Sequence, residues 1–279
     1  MTLPDRFADF DQSPWIGGSL AVLGAAQNVP TMLSHEEALL YFWLTSKWAR
    51  GVGAIVDLGC FVGGSTARFA AGAKQAGLTS DIHTYDRFGV SQGLRDEVLY
   101  PAGVTPFEGN SSLPAVRELL APWAEQLTFH KGDIEDNGWI GEPIEILAMD
   151  ASKSTASQDQ MARDFFPHLI PGQSVVIHQD FLHWRQPWIA AQMALMAECF
   201  VPLTHVTSDT IVFGCIKPIT PDVLARGETD GLDDAELIDA VRAAAPIYAE
   251  FGEKAALQKH IQAIERSPNE RISWKMVKG

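Results

Sequence analysis

The order of strand-like and helix-like segments constrains the fold of this 279-residue chain more than any other feature of its sequence. Short apolar segments, each long enough for one strand, lie at 54–58, 81–85, 126–130, 145–149 and 174–177. Segments with helical spacing of apolar residues separate them, at 65–75, 113–123, 159–169 and 188–200. Strands that alternate with helices favour parallel pairing, with helices on both faces of the sheet. The alternation therefore predicts a doubly wound α/β domain with a mainly parallel sheet.

Two more apolar segments, 203–207 and 210–217, follow the last of these helices. Only Ser208 and Asp209 lie between them, and this pair has the chemistry of a tight turn. The two segments therefore predict an antiparallel hairpin, which closes the sheet and completes seven strands.

Helix-capping patterns and turn residues indicate how the flanking segments are organised. Residues 1–33 are punctuated by proline and glycine and are predicted to be irregular. Ser34 and Glu37 form a capping-box pattern, which opens an apolar helix that packs on the main domain. Ser65 and Thr66 are expected to cap the helix after the first strand. The chain thus divides into an N-terminal segment with its cap helix, the main α/β domain, and a C-terminal helical extension packed on it: 1–53, 54–218 and 219–279.

Composition and charge exclude several classes of partner. The chain has 35 acidic and 21 basic residues, for a formal net charge of -14, so a nucleic-acid backbone would be repelled. No apolar run reaches the roughly 20 residues that cross a bilayer. The first residues lack the apolar core of a signal peptide, and we expect a cytoplasmic location. The cysteines, at positions 60, 199 and 215, fit neither a zinc site nor a disulfide framework and are predicted to be reduced thiols.

Acidic residues at the strand ends indicate a nucleoside cofactor. The first strand contains Asp57 and leads through a glycine-containing turn, 59–64, into a helix. Asp86 follows the second strand about twenty residues later, at the distance where an acid binds the ribose hydroxyls of an adenosine. Dinucleotides require a further glycine inside such a turn, because the pyrophosphate approaches the backbone there. Phe61 occupies this part of the turn, which disfavours a nucleotide-cofactor oxidoreductase.

The segment 55–66 resembles the first motif of class I S-adenosylmethionine (SAM) dependent methyltransferases. Its form, D-x-G-x-x-x-G-G-S-T, is most similar to bacterial macrocin-type O-methyltransferases, and the resemblance extends over about 34–217. It implies a Rossmann-like methyltransferase fold with SAM as cofactor. It also implies that Asp57 and Gly59 contact the amino-acid part of SAM, that Asp86 holds the ribose, and that Asp133 meets the adenine amino group. The remaining implied cofactor contacts are Phe61, Gly63, Ser65, Thr66, Arg87 and Ile134.

The reaction centre is expected after the fourth and fifth strands. Methyl transfer is an in-line displacement, and an acceptor hydroxyl must lose its proton. In metal-dependent relatives of this class, acids at these two strand ends bind a divalent cation. The matching residues are Asp150 and the pair Gln179-Asp180, where a usual second carboxylate is missing. Two alternatives stay open: these three residues bind Mg²⁺ through oxygen, or catalysis is metal-free with His178 or His183 as general base.

Lys153 lies close to this centre in the sequence. It can orient an anionic acceptor or be an ordinary surface lysine, and we prefer the surface role. The segment 150–153 is not the N-P-P-Y-like motif of nucleic-acid amino methyltransferases, which agrees with the acidic charge.

The sequence therefore predicts a SAM-dependent methyltransferase that acts on a small molecule, at a hydroxyl of a sugar or secondary metabolite. Apolar helices outside the main domain favour a homodimer. The alternatives are a catalytically degenerate SAM-binding domain that serves as an interaction or regulatory module, and the oxidoreductase that Phe61 disfavours.

Overall fold

The computed structural model describes residues 4–278, and it confirms the predicted sheet. Seven strands pair in the order β3-β2-β1-β4-β5-β7-β6, with β7 antiparallel to both of its neighbours. The strands and the α-helices that alternate with them extend over the following residues. The strands are β1 Ala54–Leu58, β2 Ile82–Asp86, β3 Leu127–Lys131, β4 Ile144–Met149, β5 Val175–His178, β6 Phe200–Val206 and β7 Thr210–Cys215.

The α-helices are α1 His35–Trp43, α2 Gly64–Ala76, α3 Gln92–Leu94, α4 Leu113–Leu119, α5 Thr155–Phe165, α6 Pro187–Leu195, α7 Pro221–Arg226, α8 Asp234–Ala243, α9 Ala245–Glu250 and α10 Lys254–Arg266. Two π-helical turns, Leu44–Trp48 and Arg95–Leu99, continue α1 and α3. Among residues 4–278, none of these helices has the length and apolar character that crossing a membrane requires.

The chain divides into two compact units. Residues 14–137 form one unit, and the residues before 14 together with those from 138 onward form the other. The predicted division into the three segments 1–53, 54–218 and 219–279 has other boundaries than these two units, and it stays a prediction.

The 14–137 unit contains β1, β2 and β3, which pair in parallel. All five residues of β1 are buried, as expected for a strand covered on both faces. The predicted capping box is confirmed, because the Ser34 hydroxyl accepts from the Glu37 N–H and the Glu37 carboxylate accepts from the Ser34 N–H. Helix α2 packs closely on Leu44–Trp48, where a Cβ on Gly72 would overlap the Thr45 Oγ1.

Two local predictions for the 14–137 unit and the N-terminus were wrong. Ser65 and Thr66 do not cap α2, because their hydroxyls donate to Asp57 and the residue before the helix is Gly63, with φ +88°. The irregular N-terminal segment contains 3₁₀ helices at Asp5–Phe10 and Leu20–Asn28. The part of that prediction that concerns residues 1–3 lies outside the described residues.

The second unit contains β4, β5, β7 and β6, with β4 and β5 parallel and the predicted hairpin confirmed. The C-terminal helices are attached to it through a buried carboxylate. Asp159 accepts hydrogen bonds from the backbone N–H groups of Thr229 and Asp230, from the Thr229 hydroxyl and from the Gln192 side chain. These bonds fix the segment between α7 and α8 against α5.

Candidate functional site

The first polar cluster lies in the 14–137 unit, where β1 joins α2. Asp57 is buried, and its Oδ2 accepts hydrogen bonds from the Ser65 Oγ at 2.7 Å and the Thr66 Oγ1 at 2.5 Å. Burial raises the pKa of Asp57 to about 6, although the two hydroxyl donors act in the opposite direction. The carboxyl group therefore ties the first turn of α2 to β1. Its contact with the amino-acid part of SAM stays a prediction.

The turn between β1 and α2 needs its glycines for two reasons. Gly59 and Gly63 have φ values of +92° and +88°, a region that side chains disfavour. A Cβ on Gly63 would lie 2.7 Å from the Leu120 Cδ1, and one on Gly64 would lie 2.6 Å from Thr31. Phe61, with φ +54°, is the half-buried residue at the tip of this turn. The glycines thus shape a tight turn whose backbone N–H groups point to the next strand end.

Asp86 receives one of these N–H groups. Its Oδ2 accepts from the Phe61 N–H at 2.9 Å, and its Oδ1 accepts from the Phe88 N–H at 2.7 Å. Partial burial raises the pKa of Asp86, and the two N–H donors act against that shift. A carboxylate offers about four lone-pair positions, so one position on each oxygen is still available. Two acceptors side by side match the two hydroxyls of a ribose, and the residues present therefore fit an adenosine cofactor.

The predicted adenine contacts lie beside Asp86. The Gly132 N–H donates to the Asp86 carbonyl at 3.1 Å, which fastens the loop after β3 to the end of β2. Asp133 forms an ion pair with Arg87, and both side chains are exposed. Ile134 is half-buried and begins a short 3₁₀ helix. The structure thus brings Asp86, Arg87 and Asp133 to one edge of this unit, as the resemblance implies, although no observation tests their contact with a cofactor.

The second polar cluster lies in the other unit, after β4 and β5. The ammonium of Lys153 donates to the Asp150 Oδ1 at 3.0 Å and to the Asp180 Oδ2 at 2.7 Å. Asp180 also accepts from the Gln186 Nε2 at 2.5 Å. Burial by itself would lower the pKa of Lys153, but the two carboxylates raise it above its ordinary value. The preferred interpretation of Lys153 as a plain surface lysine was wrong.

The position of Lys153 also bears on whether this cluster can bind a metal ion. The predicted ligands were Asp150, Gln179 and Asp180, but a positive side chain already lies between the two carboxylates. Between residues 4 and 278 no cluster of three or more histidine, cysteine or acidic side chains can hold a metal ion. A divalent cation at this place would meet a like charge and would compete for carboxylate oxygens that accept from Lys153. The residues present do not fit Mg²⁺.

His178, the first candidate base, is the last residue of β5 and not the first residue after it. Its ring is fully buried among Phe166, Phe181 and Phe213, and neither ring nitrogen has a hydrogen-bond partner in the described part of the chain. Burial lowers the pKa of His178 to about 3. A neutral imidazole enclosed in this way cannot reach an acceptor, so the structure disfavours His178 as a base.

His183, the second candidate, lies in the turn after β5 and is half-buried. Its Nδ1 accepts from the Arg185 N–H at 3.4 Å, and its ring stacks on Trp184 with 6.0 Å between the ring centroids. No hydrogen bond engages its Nε2 among the described residues. Of the two candidate bases, His183 is therefore the one whose ring can contact a bound molecule.

One contact to this turn has no signal in the sequence. His260 in α10 donates from Nε2 to the carbonyl oxygen of His183 at 3.0 Å, and its Nδ1 accepts from the Tyr248 hydroxyl at 2.6 Å. Both side chains are fully buried. The C-terminal helices thus hold the turn that carries His183, and a separation of more than seventy residues hides this contact from any local pattern.

Comparison with known proteins gives a likeness in structure only. No protein-family model matches the chain, and no curated protein matches it. The structure of the O-methyltransferase NovP is 16% identical with a TM-score of 0.52, over 67% of this chain and 82% of that one. This likeness shows the fold, which is that of class I methyltransferases.

Two further structures align less closely. The first is the Podospora anserina methyltransferase PaMTH1 with bound S-adenosylhomocysteine (SAH), at 13% identity and a TM-score of 0.46, over 77% of this chain and 89% of that one. The second is cofactor-bound Rv0187 from MTB, at 16% identity and a TM-score of 0.45, over 78% of this chain and 99% of that one.

Proposed function

We propose that this protein is a SAM-dependent methyltransferase that methylates an oxygen atom of a small molecule and needs no metal ion. The observation that carries the proposal is the Asp86 carboxylate, which the turn after β1 holds at the end of β2 with one acceptor position available on each oxygen. The fold shared with an O-methyltransferase structure is consistent with it.

The residues of the 14–137 unit would bind the cofactor. Asp86 would accept from the two ribose hydroxyls, and the turn at 59–64 would let the cofactor approach the backbone closely. Asp133 and Arg87 would lie beside the adenine. When bound, SAM supplies an electrophilic methyl group and leaves as the neutral thioether SAH.

The acceptor is proposed to be a small hydroxyl compound, such as a sugar or secondary metabolite. The net charge of -14 disfavours a polyanionic acceptor. As the new oxygen–carbon bond forms, the hydroxyl proton would pass to the Nε2 of His183, the accessible histidine after β5. A homodimer and a cytoplasmic location stay predictions.

Calorimetry with SAH and NAD tests the cofactor. We expect SAH to bind and NAD not to bind. The variant Asp86→Asn should weaken SAH binding at least tenfold, because it replaces one acceptor oxygen by an amide donor. Asp81→Asn is the matched control, since this exposed residue precedes the same strand at its other end. Binding of NAD alone, or equal SAH affinity for the two variants, would refute the proposal.

A second measurement separates an enzyme from a degenerate SAM-binding domain. Transfer of a radiolabelled methyl group from SAM to a panel of small hydroxyl compounds is expected for the enzyme. Tight SAH binding without transfer to any member of a broad panel would instead favour an interaction or regulatory module.

A further inference from the structure

We infer that Lys153 is the resident cation of the acidic pair Asp150 and Asp180, and that its remaining N–H donates to the oxygen of the bound methyl acceptor. The first part rests on the geometry of the pair alone. The second part, which concerns the acceptor, also rests on the proposed function.

The positions of the three side chains follow from the fold. Asp150 comes directly after β4 and Asp180 two residues after β5, two adjacent parallel strands whose last paired residues are Met149 and His178. Because carboxyl ends of parallel strands lie at the same edge of a sheet, the two carboxylates come close together. One ammonium then contacts both, at 3.0 and 2.7 Å. The contact therefore bridges two strand ends and is more than a local pair.

The backbone of Lys153 is also fixed. Its N–H donates to the Ala151 carbonyl at 2.8 Å, and its carbonyl accepts from the Ser273 N–H at 2.9 Å. The neighbouring Ser154 forms a β-bridge with Ile272. The C-terminal segment thus holds the loop between β4 and α5, so that the ammonium is presented from a rigid support.

The hydrogen bonds of the pair leave little room for a metal ion. The Asp180 Oδ2 accepts from both Lys153 and Gln186, and these two donors occupy both of its lone pairs. A metal ion would have to displace the Lys153 ammonium to gain both carboxylates as ligands. The pair is therefore already neutralised in part by a side chain of the protein.

One donor of Lys153 is still available for a ligand. An ammonium has three N–H donors, and the two carboxylates use two of them. The side chain is 44% exposed, so the third donor can reach a bound molecule. It would favour an electron-rich oxygen, since a charged donor binds developing negative charge more strongly than a neutral one.

Binding of Mn²⁺, measured from the electron paramagnetic resonance signal of the free ion, tests the first part. We expect no binding by the wild-type protein at 1 mM Mn²⁺ (about the affinity of weak oxygen sites). Lys153→Met should bind at least tenfold more tightly, because it removes the ammonium that competes for both carboxylates. Lys217→Met is the matched control: this lysine is 43% exposed and pairs with Glu198 in the same unit. It should behave as the wild type does.

Two results would overturn the inference. One is wild-type protein that binds Mn²⁺ as tightly as Lys153→Met does. If the wild type alone binds Mn²⁺ strongly, this result counts even when the variant is not stable. The other is a folded Lys153→Met protein that gains no Mn²⁺ binding. Lys153→Arg keeps the charge and should exclude Mn²⁺ as the wild type does.

Methyl transfer tests the second part. We expect a chelator to leave the rate unchanged, and Lys153→Met to lower kcat at least tenfold while its SAH affinity stays within twofold of the wild-type value. An unchanged kcat in Lys153→Met would overturn the acceptor contact. Failure of SAH binding by the wild type would refute the proposed function, whereas the Mn²⁺ result would stand by itself.

Discussion

Replacing Asp57 by asparagine should change how the stability of the protein depends on pH. The carboxyl group is buried, and its pKa rises from 3.8 to about 6. Between these values the native protein binds a proton that the unfolded chain has already released. The contribution of Asp57 to stability is therefore lost as the pH rises from about 4 through 6, and it is constant above that range.

The size of the effect follows from the shift. One pKa unit corresponds to about 1.4 kcal/mol, so a shift of about two units makes ionised Asp57 cost roughly 3 kcal/mol at pH 7. Rather more than half of that cost, roughly 2 kcal/mol, is already present at pH 5, and roughly 1 kcal/mol is added between pH 5 and pH 7. Asparagine keeps an oxygen for the hydroxyls of Ser65 and Thr66 but does not ionise. The free energy of unfolding of Asp57→Asn should lack this decline.

Urea unfolding at several pH values, followed by tryptophan fluorescence, measures the difference. The free energy of unfolding of Asp57→Asn minus that of the wild type should rise by roughly 1 kcal/mol from pH 5 to pH 7. Taking this difference cancels the titrating groups that do not interact with Asp57, and it cancels any fixed cost of the substitution. A difference that stays constant with pH, or that falls, would refute the account of Asp57 as a buried acid.

Two further variants test burial at other places. His178→Leu should retain methyl-transfer activity within about threefold, and loss of most activity in a folded variant would restore His178 as a candidate base. The variant should also lose less stability than the wild type as the pH falls below 6.5. The reason is that the lowered pKa of His178 makes the native state resist a proton that the unfolded chain accepts. Gly72→Ala should lower stability by about 1–3 kcal/mol, since the added Cβ would overlap Thr45, whereas Gly93→Ala has open space and should be neutral in thermal melting.

The strands were predictable from the sequence because each is a short apolar run between helical segments. β1 illustrates this, since its five residues are all buried and its bounds are those expected. The end of β5 was harder to predict. His178 continues the strand because it pairs with Ile211 of β7, and such pairing across the hairpin has no signature next to the histidine. A boundary displaced by one residue moved a candidate base into the core.

Side-chain partners were less predictable than strands. A hydroxyl after a glycine turn is a good helix cap on statistical grounds, but Ser65 and Thr66 meet a buried carboxylate that offers a stronger acceptor. Lys153 was hidden for a similar reason, because lysine is exposed by default and its reach to Asp180 depends on how two strand ends lie.

Two departures at the acidic centre compensate each other in charge. In the metal-dependent pattern that the sequence resembles, three carboxylates surround a divalent cation, which leaves one net negative charge. Here Gln179 replaces one carboxylate, and Lys153 adds one positive charge between Asp150 and Asp180. Two carboxylates and one ammonium also leave one net negative charge. A lost carboxylate alone would suggest a decayed site. A lost carboxylate with a lysine in bonding contact preserves the electrostatic balance, and this supports the metal-independent centre that we propose.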